Sequence, residues 1–399
     1  MMTVMPALPL SGRRRPWSRR GWRATAALVA LTGLALGVPV PGNAATPVPA
    51  PPLSGLALGP DRLPACTAVV GALPERARLA QRVVVGVDGS NPAGTVELVR
   101  TTQVGGIFIG GNATELLRRQ SLREVHAMAR LPLAIAVDDE GGRVQRIDAL
   151  DGDLPSARAM SRLDPLKVRT LGRDRARELA GYGITVNFAP TVDVSRQRSG
   201  AVIGDRSFGN DPDEVVSYAG AFAEGQREAG LFTVLKHFPG HGHADGDSHR
   251  GRVRTPPLTQ LRADDLRPYA DLIGPGGRLA GGGRTGVMVG HLDVPGLTDG
   301  LPSSLTPAVY ALLRGDYGFD GVVFTDDLGA MKAVTGSFEL PEAVERALAA
   351  GADVALWSSG GRVTQVLDRL TDALRAGRLD PAANDRAVTR ILRAKSVCS

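Results

Sequence analysis

No Asp or Glu occurs in the first 45 residues of this 399-residue chain, and only two cysteines, Cys66 and Cys398, occur anywhere in it. Two cysteines are too few for a disulfide-dense small scaffold. No HExxH pair is present, and the stretch after the first apolar run, "VGVDGSNPAG", is not GxGxxG, so the common signatures of a zinc protease and of a dinucleotide-binding first turn are missing. Long apolar runs are missing too: the run Ala24–Val38 has about 15 residues, short of the ~20 that a spanning helix needs. That run follows Arg13, Arg14, Arg15, Arg19, Arg20 and Arg23, and it precedes the small-residue stretch Gly42–Ala45. A basic start, a short apolar core and small residues describe a secretory leader over 1–45, and Ser18–Trp22, "SRRGW", resembles a twin-arginine export signal. The formal charge of the chain is +6, and the leader arginines account for all of it. The remainder is near neutral, which argues against nucleic acid as a partner. The expectation is an exported protein, secreted or associated with the cell envelope, with no membrane span once the leader is removed.

Residues 46–62 are rich in proline, and "TPVPAPPLSG" reads as an extended linker. From Leu63 on, short apolar runs alternate with amphipathic stretches. The runs expected as strands are 83–87, 105–110, 133–138, 185–190, 233–238, 286–291, 321–326 and 352–357. Two stretches between them, "LKVRTLGRDRARELAGYG" and "PDEVVSYAGAFAEGQREAG", read as helices. Eight such units point to an α/β fold, a single (β/α)8 barrel of the TIM type over 63–399, with a Rossmann-like open sheet as the alternative. Asp138, Asp193, His237, His291 and Asp326 all fall at or just past the C-terminal end of an expected strand, where barrels build their sites. That favours the barrel. It also brings the first and last units together, so Cys66 and Cys398 are expected to form a disulfide.

Four of the six histidines, His237, His241, His243 and His249, sit in "KHFPGHGHADGDSH", 236–249. A metal site is one reading, because "HGHAD" opens like a zinc-hydrolase HxHxDH. Gly246 stands where the last histidine would be needed, so the ligand set is incomplete. A polar glycine-rich loop with incidental histidines is a second reading. Direct catalysis by one histidine is the third.

"KHFPGHG" with "DSH", "VDDEGGRVQR" (137–146), "NFAPTVDV" (187–194), "IGDRSFG" (203–209) and "GFDGVVFTDDLGAM" (318–331) occur in one order along the chain. Together they resemble glycoside hydrolase family 3, and within it the β-N-acetylhexosaminidases that act on cell-wall fragments. The resemblance implies Asp326 as catalytic nucleophile, with Asp327 as its competitor. It implies His249 as acid/base in place of the usual second carboxylate, with Asp247 as partner of its ring. Asp138, Arg146, Arg206, Lys236 and His237 match positions that bind the terminal sugar. Glu140 and Arg143 are expected to be structural, and His241 and His243 have no assigned role. Asp139, the "LGAM" after the nucleophile and the glycine-rich loop 267–286 depart from the family pattern. The second domain found in many members is not expected after the eighth unit. The implied activity is retaining hydrolysis of non-reducing terminal β-linked N-acetylglucosamine by a monomer, without metal or cofactor. A β-N-acetylglucosaminide or muropeptide would be the substrate. The alternatives are a β-glucosidase of the same family, a non-catalytic wall-sugar-binding barrel, and a metallohydrolase.

Overall fold

The computed structural model describes residues 63–111, 114–118, 121–281 and 283–399. The expected leader and proline-rich linker lie outside the described residues. Ten strands follow in chain order: β1 (Val83–Val87), β2 (Gly106–Ile109), β3 (Ala134–Val137), β4 (Val186–Asn187), β5 (Phe232–Phe238), β6 (Val253–Arg254), β7 (Thr285–Val289), β8 (Leu292–Asp293), β9 (Val323–Asp327) and β10 (Val354–Trp357). Eight close into a parallel barrel in the order β1-β2-β3-β4-β5-β7-β9-β10, and β10 pairs back onto β1. Each of the eight expected runs supplies one barrel strand. The open sheet is therefore excluded. The two-residue strands β6 and β8 pair with each other above the barrel wall.

The strands are apolar on both sides because both sides are covered. Val84, Phe108, Ala136, Val186, Phe232, Met288, Phe324 and Leu356 form one cluster, inside the barrel. Their neighbours Val83, Val85, Ile107, Ile109, Ile135 and Val137 belong to a second, between strands and helices. β4 is shorter than expected: it ends at Asn187, Phe188 still donates its N–H to Val137 O at 2.8 Å, and Thr191 regains the pairing through a single bridge to Lys236.

Three long helices open on an Asp-Pro pair. Asp164, Asp211 and Asp380 each accept a hydrogen bond from a backbone N–H of the first turn, and the proline follows at N1. The two helices expected between β3 and β5 are Pro165–Gly181 and Pro212–Glu228. They cross so closely that a Cβ on Gly225 would lie 2.0 Å from the Arg169 carbonyl oxygen. The two ends of the described chain meet. The helix Cys66–Ala72 packs on the helix Pro381–Ala394, Ser399 donates its N–H to Pro64 O at 3.1 Å, and Cys66 and Cys398 are bonded with S–S 2.06 Å.

Candidate active site

The C-terminal ends of the barrel strands surround a cavity of about 540 Å³. Its apolar floor includes Phe108, Phe188 and Met288. Its polar wall includes Asp138, Arg146, Arg206, Lys236, His237, His241, His249, Asp326 and Asp327. Every expected site residue is on that wall except Asp247, which stands behind His249.

The last two residues of β9 are both buried carboxylates, but their surroundings differ. Asp327 is occupied: Oδ1 accepts the N–H groups of Gly329, Ala330 and Ser358 at 2.8, 3.1 and 3.1 Å, and Oδ2 accepts the Ser358 hydroxyl. Its carboxylate ties the turn after β9 to the end of β10. Asp326 accepts one hydrogen bond through Oδ1, from the Asp327 N–H at 2.9 Å. Among the described residues, none donates a hydrogen bond to its Oδ2. Burial pushes the Asp326 carboxyl up, but His237, His291 and the Asp327 N–H outweigh it and hold it below the ordinary carboxylate value. A buried, ionised carboxylate with a free oxygen is equipped to attack an electrophilic carbon.

His249 sits in the turn Ser248–Arg250 after β5. Its N–H and its ring Nδ1 both bond to Asp247 Oδ1, at 3.0 and 2.9 Å. A carboxylate only accepts, so Nδ1 carries the hydrogen and Nε2 is the atom left to exchange a proton. Burial raises the Asp247 carboxyl, and the two bonds from His249 more than reverse that, so Asp247 stays ionised beside the ring. The loop is anchored across the cavity: Ala333 donates its N–H to Ser248 O at 3.0 Å, and the Ser248 hydroxyl contacts Met331 Sδ at 3.3 Å. Gly242 lets this loop pass close to the barrel, since a Cβ there would lie 1.9 Å from Val194 O.

The remaining wall is a network of opposite charges. Glu140 holds Arg206 bidentately at 2.8 and 2.8 Å and also pairs with Lys236. Burial works against the Glu140 carboxylate, but the two cations beside it hold it well below its ordinary value. Asp138 binds Arg146 Nε at 2.6 Å. Arg143 bonds Asp205 at 2.8 Å and the carbonyls of 201–203, and holds the segment whose Val202 lines the cavity. Asp139 accepts the Arg146 N–H at 2.7 Å and pairs with Arg175 at 3.3 Å.

Two residues left without a role by the sequence complete the site. Asp193 Oδ2 binds His237 Nδ1 at 2.7 Å, and its Oδ1 takes the His241 N–H at 2.7 Å. It orients the "KHFPGH" turn from β4's side of the barrel. His241 is buried on the cavity wall, and neither ring nitrogen has a partner among the described residues. Burial and the neighbouring His237 lower its ring, so it is neutral near pH 7. The strand-end position of Asp193 was the one available signal; its contacts are to residues 44 and 48 positions away. His243 and His291 do not reach the cavity. His243 bonds Asp265 at 2.9 Å, and His291 bonds Ser304 at 2.7 Å and Asp327 O at 2.9 Å. Among the described residues, no group of three or more His, Cys, Asp or Glu side chains could hold a metal ion.

Residues 76–394 match the N-terminal domain of glycosyl hydrolase family 3. The chain is 49% identical over 327 residues to the beta-hexosaminidase LpqI of Mycobacterium tuberculosis, covering 80% of this chain and 82% of that protein. It is 39% identical over 273 residues to a beta-hexosaminidase of Alkalilimnicola ehrlichii, covering 66% and 74%. A solved family 3 glycosyl hydrolase of Mycobacterium smegmatis superposes with TM-score 0.78 at 48% identity, over 82% of this chain and 98% of that one. A family 3 β-N-acetylglucosaminidase from a Paenibacillus species does so with TM-score 0.73 at 29% identity, over 82% and 62%.

Proposed function

The chain belongs to glycosyl hydrolase family 3 and is a β-N-acetylhexosaminidase; we propose that it releases non-reducing terminal β-linked N-acetylglucosamine from peptidoglycan fragments, with retention of configuration. The observation that carries the mechanism is the pairing, on one cavity, of Asp326 with a free carboxylate oxygen and of His249 with its ring held by Asp247.

In the first step, Asp326 Oδ2 attacks the anomeric carbon as the glycosidic C–O bond breaks. His249 Nε2 gives its proton to the departing oxygen. The product is a covalent glycosyl ester on Asp326 and a neutral imidazole. In the second step, that imidazole takes a proton from water while the water oxygen attacks the same carbon. The ester bond breaks and Asp326 leaves as carboxylate, with His249 again protonated. Asp247 orients the ring and stabilises its charged form. Asp138, Arg146, Arg206, Lys236 and His237 hold the sugar's hydroxyls and acetamido group, and Glu140 and Asp193 fix three of those side chains in place. The chemistry asks for no metal or cofactor. Peptidoglycan as the source of the substrate rests on the family resemblance and on the leader read from the sequence.

The test is to compare an aryl β-N-acetylglucosaminide with the aryl β-glucoside, each with and without EDTA. The proposal expects hydrolysis of the first, far weaker turnover of the second, and no effect of chelator. Preference for the glucoside, or inhibition by EDTA, contradicts it.

A further inference from the structure

A second cavity, about 500 Å³, opens at the opposite end of the barrel, below the N-terminal ends of the strands. Its roof is the lower layer of inward-facing residues, including Val84, Val186, Phe232, Phe324 and Val354, and Ile391 and Ala394 of the last helix form a side wall. Phenylalanines separate it from the catalytic cavity. Phe108 stacks on Phe188 at 5.9 Å, Phe188 meets Phe324 at 5.4 Å, and Phe324 meets Phe232 at 6.3 Å; the first two line the upper cavity and the last two the lower. Barrel enzymes do their chemistry at the other face, so the catalytic account uses none of this space.

The charge on this wall has one sign. Among the described residues, its ionisable groups are Lys395, His126 and Arg284, and no Asp or Glu lines it. Arg284 Nη1 donates to the Gly230 carbonyl at 2.6 Å. Lys395 Nζ donates to Gln81 Oε1 at 2.8 Å and to Gly105 O at 2.7 Å. Both partners are neutral, so among the described residues nothing compensates the charge of this amine. Burial accordingly lowers it to about 7. An amine so placed is held in its charged form by an adjacent anion, and one that brings its own apolar surface also covers the apolar walls. Sugars fit badly here, because among the described residues the wall offers no carboxylate to hold their hydroxyls, and its acceptors Gln81 Oε1 and Gly105 O are already taken by Lys395.

We propose that the lower cavity binds a single-chain fatty acid, with the alkyl chain against the strand and helix residues and the carboxylate on Lys395 at the rim. The volume lies within the range of ordinary small-ligand pockets, roughly 300–1,000 Å³. The site is independent of the proposed sugar chemistry, and failure of one leaves the other standing.

Calorimetric titration of the full chain with dodecanoate, below its micelle concentration, tests this beside dodecanol, dodecyl phosphate and dodecyltrimethylammonium. Dodecanoate is expected to bind one to one and at least about tenfold more tightly than the alcohol or the cation, the worth of a charge-assisted bond. Lys395→Met should remove that preference and leave hydrolysis of an aryl N-acetylglucosaminide unchanged. Ala394→Trp, which fills the cavity, should weaken binding of acid and alcohol alike by about tenfold or more. If that variant does not fold, the Lys395→Met comparison decides alone. Equal binding of acid, alcohol and cation, absence of dodecanoate binding, or displacement of dodecanoate by N-acetylglucosamine overturns the proposal. Tighter binding of dodecyl phosphate than of dodecanoate overturns the assignment to a carboxylate.

Discussion

The two adjacent carboxylates of β9 show how residue type and local contacts divide the work. Asp327 is saturated by three N–H groups and a hydroxyl, whereas Asp326 keeps an oxygen for the cavity. Asp327→Ala should therefore cost stability, about 1–3 kcal/mol by urea denaturation, because buried N–H groups lose their acceptor. His249 is separable from the other histidines by leaving group. An activated aryl group departs as a stable anion, but a sugar hydroxyl needs a proton as it leaves. His249→Ala should slow a natural disaccharide by roughly 10²–10⁴-fold while sparing the first step on a nitrophenyl substrate. Asp247→Ala should give a milder form of the same pattern, and His243→Ala none; equal losses on both substrates for His249→Ala would remove it from the acid/base role. Glu140 supplies a pH test. Burial opposes its charge, yet Arg206 and Lys236 hold its folded value well below the ordinary 4.5. Its contribution to stability is thus complete above that pH and is lost as pH falls through the lower, folded value. The urea midpoint of the native chain should drop on acidification below about pH 4.5, and that of Glu140→Gln, already lower at pH 7, should drop less. Sequence motifs carried Asp326, His249 and Asp247 because each lies within a short contiguous stretch. Glu140 was expected to be structural, while Asp193 and His241, although inside the same motifs, had no role assigned from the sequence. Their roles come from contacts between strands that are far apart in the chain, such as Glu140 with Arg206 at a separation of 66.

At the scale of elements, period and punctuation made the barrel legible. Continuous apolar runs meant strands covered on both faces, and the Asp-Pro pairs marked three helix starts. The sequence was less informative where the chain leaves the repeat. β4 ends early at Asn187, and the segment between β5 and β7 adds β6 and two short helices, Leu258–Ala263 and Arg267–Ile273, that no periodicity announced. Those additions serve the site, because the loop bearing Asp247 and His249 lies between β5 and β6. Close helix packing supplies the element-scale prediction. Gly225 faces the Arg169 carbonyl with no room for a methyl group. Gly225→Ala should force the helices Pro165–Gly181 and Pro212–Glu228 apart and cost about 1–3 kcal/mol, read as a lower urea midpoint. KM and kcat should stay near native, since the contact is remote from the cavity; an unchanged midpoint would show that the helices can separate freely.

For the whole molecule, closure is the organising fact. Because β10 pairs with β1, the ends of the described chain meet, and the bond between Cys66 and Cys398 spans a separation of 332 residues. Cross-linking so long a loop restricts the unfolded chain, which in the chain-entropy account stabilises by roughly 6 kcal/mol before any strain. Reduction, or the paired change Cys66→Ser with Cys398→Ser, should lower the melting temperature without lowering activity at 25 °C. Alkylation of the unreduced protein should find no reactive thiol, and two reactive thiols would contradict the bond. Closure also places every strand end on one rim, so that Asp138 from β3, His237 from β5 and Asp326 from β9 face a single sugar-sized space. The central claim is that Asp326 forms a covalent bond to that sugar. It is tested most directly by incubating the enzyme with a slow fluorinated N-acetylglucosaminide, then digesting it and mapping the mass of the labelled peptide. The account predicts one glycosyl group per chain, attached to Asp326, and no label on Asp326→Ala. A label on Asp327 or elsewhere, or turnover of the fluorinated sugar by Asp326→Ala, would contradict it.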